Sequence, residues 1–250
     1  MKVLKFLPQD LTRSLALNAD DLVIFLHGFP SLRSKQNREL AEIVSRENSC
    51  EVLLPLYSGL GFSEGRFTFS GCMDQVVDWA TSLMRQRLNQ GWKGRVQLVG
   101  HSWGGFLSLR LAQISEIKAS LNRMVLMSPL VHFAQAGDVA RAFAQMTART
   151  ELRLDLPEID ILAHDFSKVG QAYPAQRLIE NLSPDLEVSY LQAKVDQMTP
   201  VESANGMRGS FRCHLDFRLV DQDHSFLTDR ANLGVEIARL LRSQQFFYEK

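Results

Sequence analysis

Cysteine is scarce in this chain. The three thiols, Cys50, Cys72 and Cys213, are odd in number and show no metal-ligand spacing. That excludes a disulfide framework and a cysteine-based zinc site, and it points to reduced, mostly buried thiols in a cytoplasmic protein. An excess of either charge is also missing. Lys+Arg and Asp+Glu both number 28, with no basic stripe, so the electrostatic footprint of a nucleic-acid binder is absent. No apolar run approaches the ~20 residues of a membrane span. The opening residues, Met1-Lys2-Val3-Leu4-Lys5-Phe6-Leu7-Pro8, interleave charge with apolar side chains and lack a signal-peptide core. The expectations are therefore no nucleic acid, no stable membrane insertion and no metal. Export by a route the sequence does not display stays open, as does the oligomeric state.

What is present is length and alternation. The 250 residues suffice for one α/β domain with a substantial core. Apolar runs rich in Val, Ile and Leu at 22–26, 51–56, 95–99, 123–127, 187–191 and 216–220 read as strands. Segments of helical period lie between or after them, at 36–46, 72–88, 103–113, 203–207 and 229–243. Such alternation predicts a mostly parallel sheet covered on both faces. Segments 2–7 and 13–17 would add antiparallel strands at one edge. Between 130 and 186 the chain is too long for a simple crossover. It holds an Ala-rich helical stretch (137–150), an acidic part with Glu151, Asp155, Glu158, Asp160 and Asp165, and a helix near 174–182. Long insertions in compact domains serve as lids or binding loops, so 131–173 is read as a small cap within the domain. A solvated excursion without a role is the alternative.

The most informative residues are Gly100-His101-Ser102-Trp103-Gly104-Gly105, after the apolar run 96–99 and before the amphipathic run 106–112. Strand, Gly-x-Ser-x-Gly and helix form the pattern of a nucleophile elbow. The turn is so tight that Ser102 must take a strained backbone, and side chains at 100 or 104 would strike neighbouring backbone. The hydroxyl then projects at a helix N-terminus, where the dipole favours developing negative charge.

A serine hydroxyl needs a base, and the base needs an orienting group. Asp196 lies just past the predicted strand 187–191, in Gln192-Ala193-Lys194-Val195-Asp196-Gln197-Met198-Thr199-Pro200. His224 lies past the strand 216–220, before the last helix. Parallel sheets present functional residues beyond the C-terminal ends of their strands. The alternatives are a solvated loop carboxylate and a surface histidine. His214 should fall at the opposite edge of the sheet, His132 and His164 in the cap, and His101 facing away from the hydroxyl. Asp221 and Asp223 neighbour His224 in sequence, which reflects loop polarity rather than triad geometry.

An oxyanion intermediate needs preformed donors. The N–H of Trp103 is one candidate. The loop His27-Gly28-Phe29-Pro30 offers the N–H of Phe29, because Pro30 has none. His27 ties this loop down rather than catalysing. The glycines of Tyr57-Ser58-Gly59-Leu60-Gly61-Phe62-Ser63-Glu64-Gly65 suggest a tight structural loop, not a phosphate cradle.

In order and spacing these four patches resemble the α/β-hydrolase superfamily, over nearly the whole chain except the cap. Within it the chain looks most like small serine esterases of the cinnamoyl/feruloyl-esterase and carboxylesterase type. The resemblance implies an α/β-hydrolase fold, no cofactor, and cleavage of a small-molecule ester. It also implies Ser102 as nucleophile, Asp196 as acid, His224 as base, and Phe29 and Trp103 as oxyanion donors. Two departures touch loop geometry: Ala193 and Asp221 stand where the family has glycine, three residues before the acid and the histidine. An aminopeptidase-like enzyme that removes N-terminal residues, its acidic cap holding the substrate ammonium, is the second reading. A binding protein on a decayed hydrolase fold is the third.

Overall fold

The computed structural model describes residues 1–7, 21–30, 34–61, 63–133, 136–148 and 154–242. Among these residues seven strands form one sheet in the order β1-β3-β2-β4-β5-β6-β7. They are β1 (Lys2–Phe6), β2 (Leu22–Leu26), β3 (Glu51–Leu56), β4 (Val96–His101), β5 (Leu121–Met127), β6 (Glu187–Val195) and β7 (His214–Asp223). Only β1 runs antiparallel, against β3; the other neighbours are parallel. The expected strand at 13–17 and the last residue of the expected final helix lie outside the described residues.

The strands explain themselves by side-chain alternation. In β2, Leu22, Ile24 and Leu26 enter one core, and Val23 and Phe25 the other. All five are fully buried, as a central parallel strand requires. The helices α1 (Ser34–Asn48) and α9 (Arg230–Leu241) cover the Val23 face through Leu40, Val44, Ile237 and Leu241. The opposite face carries α2 (Phe69–Asn89), α3 (Trp103–Leu111), the short α4 (Ser115–Lys118) and α8 (Val201–Arg208).

Between β5 and β6 the chain builds α5 (Ala136–Ala148), α6 (Ile159–Ala172) and α7 (Ala175–Glu180). Helix α6 is a finding the sequence reading lacked, since that stretch reads as an acidic segment. Its acids Asp160 and Asp165 interrupt a stripe of Leu162, Ala163, Phe166 and Val169, all buried. Asp165 is not a solvated charge. Its carboxylate accepts from the N–H groups of Phe69 (2.6 Å) and Ser70 (3.1 Å) at the start of α2, and from the Ser70 hydroxyl. An anion on those unpaired donors complements the helix dipole, so α6 is latched to the core. A second tie joins Gly59 and Asp155: Asp155 N–H donates to the Gly59 carbonyl, and Phe67 N–H donates to that of Asp155, both at 2.8 Å.

Candidate active site

Ser102 follows the last residue of β4 and caps α3, with φ 54° and ψ −116°. This is the strained backbone the glycine pattern anticipates, worth about 1–3 kcal/mol. The surroundings hold it there. Ser102 N–H donates to the Met127 carbonyl (3.0 Å), and its own carbonyl accepts from Gly105 (2.9 Å) and Leu130 (2.9 Å). At Gly104 a Cβ would collide with the Leu26 carbonyl, and at Gly100 it would lie 2.5 Å from the Gly104 carbonyl oxygen. The elbow therefore presses directly on β2, and any larger residue at 104 would drive them apart.

Asp196 and His224 come next to β6 and β7 at the same end of the sheet. The ring of His224 bridges the two other side chains. Its Nδ1 lies 2.8 Å from Asp196 Oδ2 and its Nε2 lies 2.9 Å from Ser102 Oγ. An ionised carboxylate only accepts, so Nδ1 carries the proton and Nε2 presents a lone pair to the serine hydroxyl. Burial by itself would raise the Asp196 pKa. The hydrogen bond and charge of His224, with donors from Thr199 and Ser128, win and bring it down to about 2.

Several partners of this trio were not legible in the sequence. Met198 and Thr199 donate their backbone N–H groups to Asp196 Oδ1 at 2.9 and 2.7 Å. The Thr199 hydroxyl lies 2.8 Å from Oδ2. Ser128, just beyond β5, accepts at Oγ from Ala193 N–H at 3.1 Å. The non-glycine residue at 193 is thus absorbed into the strand, fully buried. His101 turns toward the His224 loop: its Nε2–H donates to the His224 carbonyl at 2.7 Å. Desolvation, then the nearby His224 charge, pulls the His101 pKa down to about 3, so it serves as a neutral donor. The roles of Ser128 and His101 have no sequence signal, because they depend on residues far away along the chain, whereas Met198 and Thr199 act on a residue two or three positions back.

The loop after β2 runs alongside Ser102. A Cβ at Gly28 would lie 3.2 Å from the Ser102 Cβ. His27 is buried, its Nδ1–H donates to the Gly28 carbonyl at 2.9 Å, and desolvation brings its pKa down to about 4. Tyr57 Oη donates to the His27 carbonyl at 2.9 Å. Phe29 and Trp103 both pack against Phe69, with ring centroids 5.0 and 4.9 Å away. Trp103 opens α3, so its N–H has no acceptor within the helix. Phe143 of α5 and Phe166 of α6 close over Phe69, at 5.2 and 5.0 Å.

The other histidines stand elsewhere. His132 and His164 line a groove of about 530 Å³ bordered by Phe133, Ser167 and Met207. His214 begins β7, opposite Glu187 at the other end of the sheet. Among the described residues no cluster of three His, Cys, Asp or Glu could hold a metal ion, and no helix is long and apolar enough to cross a membrane.

Comparison with known proteins gives a consistent picture. No curated protein matches the chain in sequence. Solved structures do match in shape. A protein of Butyrivibrio proteoclasticus with ferulic acid bound is 16% identical, with a TM-score of 0.65, covering 95% of this chain and 92% of its own. An esterase of Pyrococcus furiosus is 19% identical at a TM-score of 0.65, over 90% of this chain and 82% of its own. A monoacylglycerol lipase of Paleococcus ferrophilus is 15% identical at a TM-score of 0.65, over 95% and 96%. The model of the alpha/beta hydrolase family matches residues 23–239. With that span, the sheet order and the strained serine turn together, the chain belongs to the α/β hydrolase family.

Proposed function

We propose that this protein is a serine hydrolase that cleaves carboxylic esters of small molecules. The observation that carries the reading is the His224 ring, within hydrogen-bond reach of Ser102 Oγ on one side and Asp196 Oδ2 on the other. His224 Nε2 takes the Ser102 proton as Oγ attacks the acyl carbon, and Asp196 stabilises the imidazolium. The backbone N–H groups of Phe29 and Trp103 receive the oxyanion. The imidazolium then protonates the leaving alkoxide, and the alcohol departs. Water, deprotonated by the same imidazole, attacks the acyl-enzyme and releases the acid, regenerating Ser102. These steps need only side chains and backbone N–H groups of this chain and water.

Residues 131–173 serve as the cap, a reading supported by Phe143 and Phe166 packing over Phe69. The ester reading draws support from the neighbours in shape, which include an esterase, a monoacylglycerol lipase and a protein holding ferulic acid. A cytoplasmic location is favoured by three free thiols; burial pushes that of Cys50 up to about 12, well away from reactivity.

The test is Ser102→Ala against short-chain p-nitrophenyl esters. We expect turnover to fall by ~10⁴-fold or more, with an unchanged unfolding temperature and loss of labelling by a fluorophosphonate probe. Activity retained in the variant would refute the assignment.

A further inference from the structure

The acid loop contains a hydroxyl that the reaction steps above leave without a task. Thr199 is buried, and its Oγ1 lies 2.8 Å from Asp196 Oδ2, 3.3 Å from His224 Nδ1 and 3.3 Å from the Ser128 carbonyl. Among the described residues, Thr199 is the side chain whose hydrogen-bond contacts reach both the carboxylate and the imidazole. Gln192 Nε2 reaches Oδ2 only at 3.5 Å and is committed to the Thr199 carbonyl at 2.8 Å.

The two carboxylate oxygens are served differently. Oδ1 accepts from the N–H groups of Met198 and Thr199, both in its own loop. Oδ2 faces His224 Nδ1 and Thr199 Oγ1 at 2.8 Å, with Gln192 Nε2 farther off at 3.5 Å. A hydroxyl has a single proton to give. The charged Oδ2 at 2.8 Å is a better acceptor than the neutral Ser128 carbonyl at 3.3 Å. With the proton directed there, the lone pairs of Oγ1 are left toward His224 Nδ1. That nitrogen therefore faces two oxygens that can only accept from it, and the arrangement admits the tautomer with hydrogen on Nδ1 and excludes the other. Gln192, fully buried, fixes the Thr199 backbone through its carbonyl, so the hydroxyl cannot drift.

We propose that Thr199 is a positioning residue for the reaction, holding Asp196 Oδ2 and the His224 tautomer so that Nε2 keeps its lone pair toward Ser102. The assignment rests on the ester-hydrolase reading and adds a residue to it. The remaining titratable groups around the pair are His101, whose ring centroid is 5.1 Å from that of His224, Tyr190, which senses the Asp196 charge, and Arg230, which acts on His101.

The experiment compares Thr199→Val, which keeps shape and loses the hydroxyl, with Thr199→Ser, which keeps the hydroxyl. Fluorophosphonate labelling of Ser102 and kcat/KM for p-nitrophenyl butyrate are followed across pH. We expect Thr199→Val to lower kcat about 10–100-fold with KM within about threefold, and Thr199→Ser to return within about threefold of wild type. The acidic limb of the pH profile should move upward in Thr199→Val, because a carboxylate that loses a donor holds the imidazolium more strongly. In an Asp196→Asn background the valine substitution should cost less than about twofold, since its effect passes through Asp196. If Thr199→Val does not fold, Thr199→Ala against Thr199→Ser carries the same comparison. Equal rates and superimposed pH profiles in the hydroxyl-bearing and hydroxyl-free variants overturn the proposal, as does an undiminished loss in the Asp196→Asn background. Wild-type protein that neither labels at Ser102 nor hydrolyses esters overturns the underlying reading instead, and the assignment with it.

Discussion

The floor and the roof of the site are built by different physics. The floor consists of β4, β6 and β7 ends, where Ser102, Asp196 and His224 are fixed by hydrogen bonds of 2.7–2.9 Å to ring, hydroxyl and backbone partners. Each bond has a direction, so displacement of one member by an ångström uncouples the rest. The proposed roof is an aromatic stack. Phe29, Phe69, Phe143 and Phe166 meet at centroid distances of 5.0–5.6 Å, and the group tolerates tilt because ring contacts are broad in angle. The comparison teaches that rate should depend on the floor and stability on the roof.

The sharpest way to break it is Asp196→Asn. An amide in place of the carboxylate no longer enforces Nδ1–H, and kcat should fall by ~10⁴-fold, a far larger effect than the modest loss of stability that goes with removing the Asp196 charge. Phe143→Ala should do the reverse. Removing a buried ring is expected to cost about 3–5 kcal/mol of unfolding free energy, read by urea titration, while the rate per folded molecule changes far less than in Asp196→Asn. If Phe143→Ala cuts the rate as deeply as the carboxylate change, the division between floor and roof fails.

Acid sharpens the same contrast through the loop beneath Phe29. The folded chain keeps His27 neutral down to about pH 4, whereas the unfolded chain takes up the proton near 6.5. Between these values the unfolded state binds more protons, so stability rises with pH. The contribution is complete above about pH 6.5 and is lost as pH falls through about 4, a total on the order of 3 kcal/mol. His101, brought down to about 3, adds a second slope of the same sign, so unfolding free energy followed from pH 7 to 4 should rise with pH through both, and His27→Gln should remove about half of the slope. Asp196, brought down to about 2, adds its own loss only at lower pH, as acid passes the carboxylate's ordinary value near 3.8 and approaches 2. The smallest effect belongs to the latch between roof and core. Asp165→Ala leaves the N–H groups of Phe69 and Ser70 without their carboxylate, and about 1–2 kcal/mol of stability should go with it; an unchanged urea midpoint would show that α6 holds by its apolar stripe alone.

How much of this was legible before any coordinates depended on sequence distance. The elbow is written in consecutive residues, because the steric demand that forces glycine at 100 and 104 acts within a few bonds and against one neighbouring strand. Asp196 and His224 were legible through strand ends, since a parallel sheet sends successive strand termini to one edge. Helix α6 was not, because its acidic residues hide a buried stripe, and one of them, Asp165, finds its partners about 95 residues away. Thr199 looked like an ordinary residue before a proline. His101, expected to face away from the hydroxyl, turned out to hold the carbonyl of His224.

Residue order alone was enough for the alternation of strands and helices, the strained serine turn, and the choice of Asp196 and His224 as the residues proposed for acid and base. Local sterics and the period of apolar residues carry that information. What had to wait for the folded chain was which hydroxyl stands beside both carboxylate and imidazole, which histidine braces the other, and how the rings of Phe143 and Phe166 meet Phe69. Except for the short step from Asp196 to Thr199, those are directional or packing contacts between segments that meet only after the sheet has assembled.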